Sequence, residues 1–308
     1  MNAPAPSAGS LRDPFCPALE GKFVVLRSQK RDLDSRAEAP IFGWACGVSI
    51  LVCMGARVKS TQPRLEVQEE LCEWVCGWEF ELAARSQGSM RIAGVDEVGR
   101  GPLFGPVVAA AVILPEGAEL DGLNDSKKLS EEERERFDER VRGIALAFAV
   151  AEVDVQTIDR INILQASRLA MRLAVESLSG AGWGPDHLLI DGNQKIDYCP
   201  PGMVCRQTTI VQGDARSLSI AAASVIAKVH RDRLLCRLDE RYPGYGLARN
   251  KGYSTPEHKK ALLRLGVTDL HRRSFAPVAE LFEVEIESIG LESVGLESVG
   301  LEFPPIED

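Results

Sequence analysis

No two of the eight cysteines stand in a C-x-x-C pair, and the four histidines complete no zinc-type spacing, so the sequence shows no zinc motif. Free thiols in a reducing compartment are the simpler reading, and a cytoplasmic protein is expected. Phosphate-cradling loops are missing as well. The nearest candidate, GRGPLFG at 99–105, lacks the G-K-[ST] ending of a P-loop and is not a G-x-G-x-x-G, which excludes nucleotide binding of those two types. Long apolar runs are scarce. The uncharged stretch APIFGWACGVSILVCMGA at 39–56 barely matches a bilayer, and its three glycines and one proline dilute it further, which weighs against a membrane partner. Because Arg27, Lys30, Arg31 and Arg36 precede it, an uncleaved signal or anchor stands beside two plainer readings: a buried segment, or an extension translated from a start codon assigned too early.

Positive charge also looks deficient, at a net −9 over 308 residues, which argues at first against a polyanionic partner. Its distribution reverses that impression. Residues 281–308 hold eight acidic side chains and no basic one, whereas residues 206–280 hold fourteen Lys and Arg against seven Asp and Glu. A basic half is masked by an acidic tail. That tail repeats ESIGL, ESVGL, ESVGL over 287–301, a period too short for a solenoid unit, and reads as a disordered appendage. Residues 1–65 read as a poorly ordered extension of unknown role, and 66–280 as one large domain.

Within that domain, 65–85 is helix-compatible, with Leu71, Val75, Trp78 and Leu82 recurring at spacings of three and four. Apolar runs of strand length follow at 92–95, 107–114 and 144–153, with the acidic helical segment SEEERERFDERVR between the last two. An amphipathic helix at 162–178 leads through a Gly-Pro loop to the short strand HLLID, and a fifth strand at 203–211 precedes a long Ala-rich helix. Strands and helices in this order predict an α/β sheet covered on both faces.

Three acidic positions recur at the ends of these strands. Asp96 and Glu97 close the first run before a Gly-Arg-Gly turn, Asp191 closes HLLID before Gly192, and Asp214 follows the fifth strand and Gly213. One Asp beside a glycine reads as a turn or helix cap. Three recurrences at sheet ends read differently, because charges at an apolar edge are costly unless paired or metal-bound. Carboxylates without neighbouring Cys or His suit Mg²⁺ or Mn²⁺, and two such ions stabilise both oxygens of a phosphoryl displacement. With a basic half, that combination points to phosphodiester hydrolysis. The glycines at 99 and 101 let backbone amides approach a nucleic-acid strand, with Arg100 reaching a phosphate.

The blocks GVDEVGRGPLFGPVVAAAVIL, LNDSKKLS (123–130), INILQAS (161–167), LLIDGN (188–193), GDARSLSIAAASVIAKVHRDRL (213–234), YPGYG (242–246), NKGYSTPEH (250–258) and HRRSF (271–275) occur in the order found in ribonuclease HII, which the chain resembles over about 68–280. The resemblance implies a ribonuclease H-like fold, a five-stranded mixed sheet flanked by helices with a helical C-terminal part. It implies cleavage of the RNA strand of RNA/DNA hybrids and of single ribonucleotides embedded in DNA, by a nuclease expected to be monomeric and to use two divalent ions, Mn²⁺ or Mg²⁺. Carried over by position, Asp96, Glu97, Asp191 and Asp214 become the metal-binding catalytic set. Gly99, Arg100 and Gly101 read the 2′-hydroxyl, Tyr253 stacks on the sugar beyond it, and Lys127 or Lys128 holds phosphate. His230 on the long helix is expected to be a surface or packed residue, not a base. Three positions depart from the family pattern: Asn250 for His, Gln212 for Lys, and Ala215 for Ser. They put the phosphate contacts and the level of activity in doubt. A ribonuclease HIII-type nuclease and a catalytically silent hybrid-binding module remain as alternatives, although Arg100 between two glycines speaks for the HII type.

Overall fold

A computed structural model of the chain describes residues 76–198 and 204–281, together with the backbone of a strand at Phe23–Arg27. The uncharged run at 39–56, most of the leading stretch and the repeat tail lie outside the described residues. In chain order the elements are β1 (Phe23–Arg27), α1 (Glu79–Ser86), β2 (Ile92–Val98), β3 (Val107–Ile113), α2 (Glu131–Ile144), β4 (Ala147–Val153), α3 (Val155–Ile161), α4 (Ile163–Gly180), β5 (His187–Asp191), β6 (Arg206–Ile210), α5 (Leu218–Arg241), α6 (Leu247–Asn250) and α7 (Pro256–Leu265). A single 3₁₀ turn, Gly213–Ala215, joins β6 to α5.

The sheet runs β1-β4-β3-β2-β5-β6. β2, β3 and β4 form an antiparallel meander, and β5 and β6 continue from β2 in parallel. These are the five strands and the mixed sheet expected. The sixth, β1, comes from the leading stretch that was read as poorly ordered: FVVLR pairs antiparallel with β4, from Phe23 opposite Ala151 to Arg27 opposite Ala147. Its β-branched pair Val24-Val25 suits the extended backbone, and an otherwise open edge supplies the partner.

β3 is VVAAAVI and is buried throughout. Its alternate residues serve two cores, as the two-residue period of a strand demands. Val107, Ala109 and Ala111 pack with Ala166, Ala170 and Ala174 of α4 on one face; Val108, Ala110 and Val112 pack with Ala222, Val225 and Ile226 of α5 on the other. Alanine on both sides lets each helix lie close. A third cluster, with Leu103, Phe104, Leu235, Tyr245, Leu247 and Leu262, fastens the C-terminal helices to the loop after β2. Among the described residues no helix is long and apolar enough to cross a membrane.

Helix ends follow their capping chemistry. Ser130 and Glu133 form a capping box at α2, and Asp154, Asn162, Ser217 and Thr255 cap α3, α4, α5 and α7. The expected helix over 65–85 is shorter in its described part, starting at Glu79. Gly77 is drawn instead into a bridge with Ser217: its N–H donates to Arg216 O and its carbonyl accepts from Leu218 N–H.

Candidate active site

β2 and β5 are parallel neighbours whose register places Val95 opposite Ile190, so Asp96 and Asp191 follow at the same level of the sheet. Asp96 and Glu97 lie within β2 and not past its end, since the strand continues to Val98. Asp96 is buried at 5% exposure, and its Oδ1 accepts the Glu97 N–H at 2.8 Å. Asp191 is fixed by the Gly213 N–H, which donates to its Oδ1 at 2.7 Å. Gln212, left-handed at φ 56°, turns the chain into the 3₁₀ turn that carries Asp214.

The four carboxylates feel one another. Burial raises the Asp96 pKa well above the ordinary carboxylate range, and the charges of Glu97, Asp191 and Asp214 push it further, against a hydrogen bond from Ser224. Burial also raises Glu97; Arg100 opposes the rise and Asp191 adds to it. Asp214 is raised by burial and by Asp191, with Lys127 opposing. Such mutual repulsion calls for positive charge. Arg100 Nη1 lies 3.2 Å from Glu97 Oε1, and Lys127 Nζ lies 3.3 Å from Asp214 Oδ2. Burial works against the Lys127 ammonium, but Asp214 and Asp125 outweigh it and its pKa is raised. Among the described residues no group of three or more acidic, histidine or cysteine side chains is placed so as to hold a metal ion. The groups whose charges act on one another here are all carboxylates, a donor type that suits a hard divalent cation.

The residues expected at the substrate divide by position. Gly99 has φ +94°, and the place of its missing β-carbon is taken by the Arg231 side chain, with Nε at 2.4 Å. A β-carbon on Gly101 would stand 3.4 Å from the Tyr253 ring, so the loop after β2 and the turn bearing Tyr253 are in contact. Tyr253 is 45% exposed, leaving ring surface for a ligand. Of the two lysines, Lys127 reaches the carboxylates. Lys128 is exposed and contributes its main-chain N–H to Asp125 O. His230 pairs with Glu152 through Nε2 at 2.7 Å, a packed role on α5.

Four residues near the site were not singled out from the sequence: Asp125 beside Lys127 and Asp214, Ser224 on Asp96, and the buried Arg231 and Arg272 behind the 99–106 loop. All four lie inside the quoted sequence blocks, but a serine in an Ala-rich helix or an arginine in a basic run carries no signal by itself. Asn250, one of the departures, has a structural task. Its Oδ1 accepts the Gly252 N–H at 2.8 Å and its Nδ2 donates to Tyr245 O at 2.7 Å, holding the turn that presents Tyr253.

A family model described as Ribonuclease HII matches residues 93–278. Ribonuclease HII of Ruegeria pomeroyi is 48% identical over 237 residues, covering 77% of this chain and 95% of that protein. Ribonuclease HII of Koribacter versatilis is 53% identical over 203 residues, covering 66% and 76%. Among solved structures, ribonuclease H2 from Pyrococcus horikoshii is similar with a TM-score of 0.52 at 25% identity, covering 63% of this chain and 98% of that one. Bst-RNase HIII in complex with Mn²⁺ shares the fold with a TM-score of 0.54 at 23% identity, covering 66% and 72%. The fold is thus common to type 2 and type 3 proteins. Identity of about one half across most of both chains places this protein in the ribonuclease HII family, a hydrolase of the ribonuclease H class.

Proposed function

We propose that the protein is a divalent-metal-dependent endoribonuclease that hydrolyses the RNA strand of RNA/DNA hybrids and cuts on the 5′ side of single ribonucleotides embedded in duplex DNA. It leaves 5′-phosphate and 3′-hydroxyl ends and serves ribonucleotide excision during replication and repair. The observation that carries the reading is the meeting of Asp96, Glu97, Asp191 and Asp214 next to a glycine loop with Tyr253 against it.

Asp96, Glu97 and Asp191 would hold one Mg²⁺ or Mn²⁺, and Asp214 would complete the site for a second. When bound, such ions supply positive charge for the attacking and leaving oxygens of the phosphodiester. The remaining work falls to the chain. The Glu97 N–H orients Asp96, and the Gly213 N–H orients Asp191, so that each keeps one oxygen directed by the backbone. Lys127 and Arg100, which hold Asp214 and Glu97 in ion pairs, stand ready to take the phosphates of the substrate. Residues 99–101 approach the ribose closely because glycine leaves room, and the 2′-hydroxyl they meet is the one group that distinguishes RNA from DNA locally. Tyr253 stacks on the adjoining deoxyribose.

The test is a DNA duplex with one embedded ribonucleotide, incubated with Mn²⁺ or Mg²⁺ beside an all-DNA duplex and a full RNA/DNA hybrid. A cut on the 5′ side of the ribonucleotide, with the all-DNA duplex intact, is expected. Cleavage of the hybrid alone would point to the HIII type instead, and cleavage of neither by a folded protein would refute the reading.

A further inference from the structure

We propose that Arg231 and Arg272, both fully buried behind the loop after β2, are positioning residues that set the preference for a ribonucleotide by fixing the peptide planes of residues 99–101. The proposal rests on the substrate reading given above for that loop.

Both guanidiniums are at 0% exposure, and their six hydrogen bonds all go to main-chain carbonyls. Arg272 donates to Gly99 O at 2.6 Å, Arg100 O at 3.0 Å and Gly105 O at 3.0 Å. Arg231 donates to Phe104 O at 3.1 Å, Pro106 O at 3.2 Å and Lys251 O at 3.0 Å. A buried cation is costly unless it is hydrogen-bonded, so each guanidinium in turn holds its carbonyls firmly. Burial lowers Arg231 to about 10 and Arg272 to about 9, which leaves both charged at neutral pH. Only the flat, five-donor fork of arginine reaches several carbonyls at once; a lysine ammonium is a point.

The orientation of the carbonyls decides that of the amides. In a planar trans peptide, the carbonyl of one residue and the N–H of the next point in opposite directions. With Gly99 O and Arg100 O turned inward to Arg272, the N–H groups of Arg100 and Gly101 turn outward. Other bonds pin the rest of the loop: Leu103 N–H to Gly252 O, Gly105 N–H to Leu270 O, and Arg272 N–H to Leu103 O. The two outward amides are adjacent, a donor pair suited to one oxygen, here the 2′-hydroxyl. Arg231 adds the second coordinate. It occupies the place of a β-carbon on Gly99 and holds Lys251 O, two residues before Tyr253, so the donor pair and the stacking ring keep a fixed separation.

The experiment compares wild type with Arg272→Lys, binding two duplexes that differ by a single ribonucleotide, without divalent ions. Circular dichroism and thermal unfolding establish the folded fraction. Wild type is expected to favour the ribonucleotide duplex. In the variant, affinity for the all-DNA duplex stays within about twofold while the preference falls roughly tenfold, the effect of one or two charge-assisted hydrogen bonds. A lesion of folding alone would lower both affinities together and leave the ratio unchanged. A second measurement uses the unaltered protein: the ¹⁵N amide signals of Arg100 and Gly101 should shift with the ribonucleotide duplex and not with the all-DNA duplex. That measurement decides if the variant does not fold. A wild type indifferent to the ribonucleotide would overturn the substrate reading and this role with it. A preserved preference in folded R272K would overturn the role of the arginines alone, whereas amide signals that do not move would overturn the contact of residues 99–101 with the 2′-hydroxyl and this role with it.

Discussion

Replacing Gly94 with alanine tests how closely α5 must lie on β2 for the carboxylates to work. A β-carbon at this position would stand 2.0 Å from the carbonyl carbon of Ser219, 2.2 Å from its oxygen and 2.4 Å from Ile220 N. All three atoms are backbone in the first turn of α5 and cannot rotate away. Carbon contacts settle at about 3.5–4.0 Å, so strand and helix must part by roughly 1.5 Å. Gly94 lies two residues from Asp96 on the same strand face, and Ser219 lies five residues before Ser224, the partner of Asp96. The separation therefore falls directly on the site. Overpacking of this kind costs about 1–3 kcal/mol of stability, within a total of about 5–15 kcal/mol, so most of the protein stays folded. Displacement of a reacting group by about 1 Å lowers the rate by about 100-fold. Single-turnover cleavage of a duplex with one embedded ribonucleotide, read beside urea unfolding, is expected to show the larger loss in the rate. Gly213→Ala is the control. Its new carbon would meet the mobile end of Ile220, Cδ1, at 2.6 Å, and Asp191 Oδ1 at 3.2 Å, so a smaller loss is expected. G94A cleaving within about threefold of wild type, with an unchanged urea midpoint, would refute the reasoning, since no rotamer change can relieve a 2.0 Å backbone contact.

Asp96→Asn should abolish turnover, by about 1,000-fold or more, while leaving duplex binding largely intact; equal loss of binding, read by fluorescence anisotropy, would favour the silent binding module. Tyr253→Ala, at a half-exposed ring, should leave the unfolding midpoint nearly unchanged and raise KM by about 10- to 100-fold, the range of about 1–3 kcal/mol for lost stacking. Acid should loosen the turn behind Tyr253. His258 Nδ1 lies 2.9 Å from Tyr253 O and its Nε2 lies 3.2 Å from His271 Nε2, while His271 Nδ1 accepts the Thr268 N–H at 3.0 Å. Both rings are therefore assigned as neutral, and burial, with His258 beside it, holds His271 down to about 3 against an ordinary 6.5. Between those values the unfolded chain binds the extra proton, so this contribution is complete above about pH 6.5 and is lost as pH falls toward 3, by about 2 kcal/mol from pH 7 to pH 5. The thermal midpoint should drop over that interval, and by less in His271→Asn; equal drops in both proteins would exclude the histidine pair as the cause.

Much of this was legible because the relevant signals are local. β3 and β5 are continuous apolar runs that can only be covered on both faces, and HLLID ends on the carboxylate that the sheet delivers. The recurrence of Asp96, Asp191 and Asp214 beside apolar strand runs and glycines is a local signal, and the charges of these three residues do act on one another in the fold. What stayed hidden depends on partners distant in sequence. The start of α1 at Glu79 follows from the pairing of Gly77 with Ser217, which no periodicity within 65–85 encodes. β1 needs the open edge of β4, and a five-residue run such as FVVLR is too short to announce it. Glu81 looks like one more charge on a helix, yet it is 1% exposed, accepting from Ser217 Oγ and from the Ser219 N–H at the start of α5.

That last contact joins a larger pattern on α5. Ser217, Ser224 and Arg231 are seven residues apart, close to two helical turns, and therefore share one face. Ser217 caps the helix and meets Glu81, Ser224 meets Asp96 and also Ser126 of the Lys127 loop at 2.9 Å, and Arg231 holds the loop that follows Asp96 and Glu97. Asp214 sits in the turn just before this face begins. A single helix thus sets the distance between the carboxylates and the loop after β2, a span of about 21 Å from Ser217 to Arg231 at about 1.5 Å per residue. Stability alone would not require this arrangement, because α5 is Ala-rich and packed on nearly every side over residues 218–227. It follows that changes along this face should be coupled: a variant at Ser224 and one at Arg231 should not add, although about 10 Å of helix separates them. Strict additivity of their effects on cleavage in a double-mutant cycle would mean that the carboxylates and the loop after β2 are held independently.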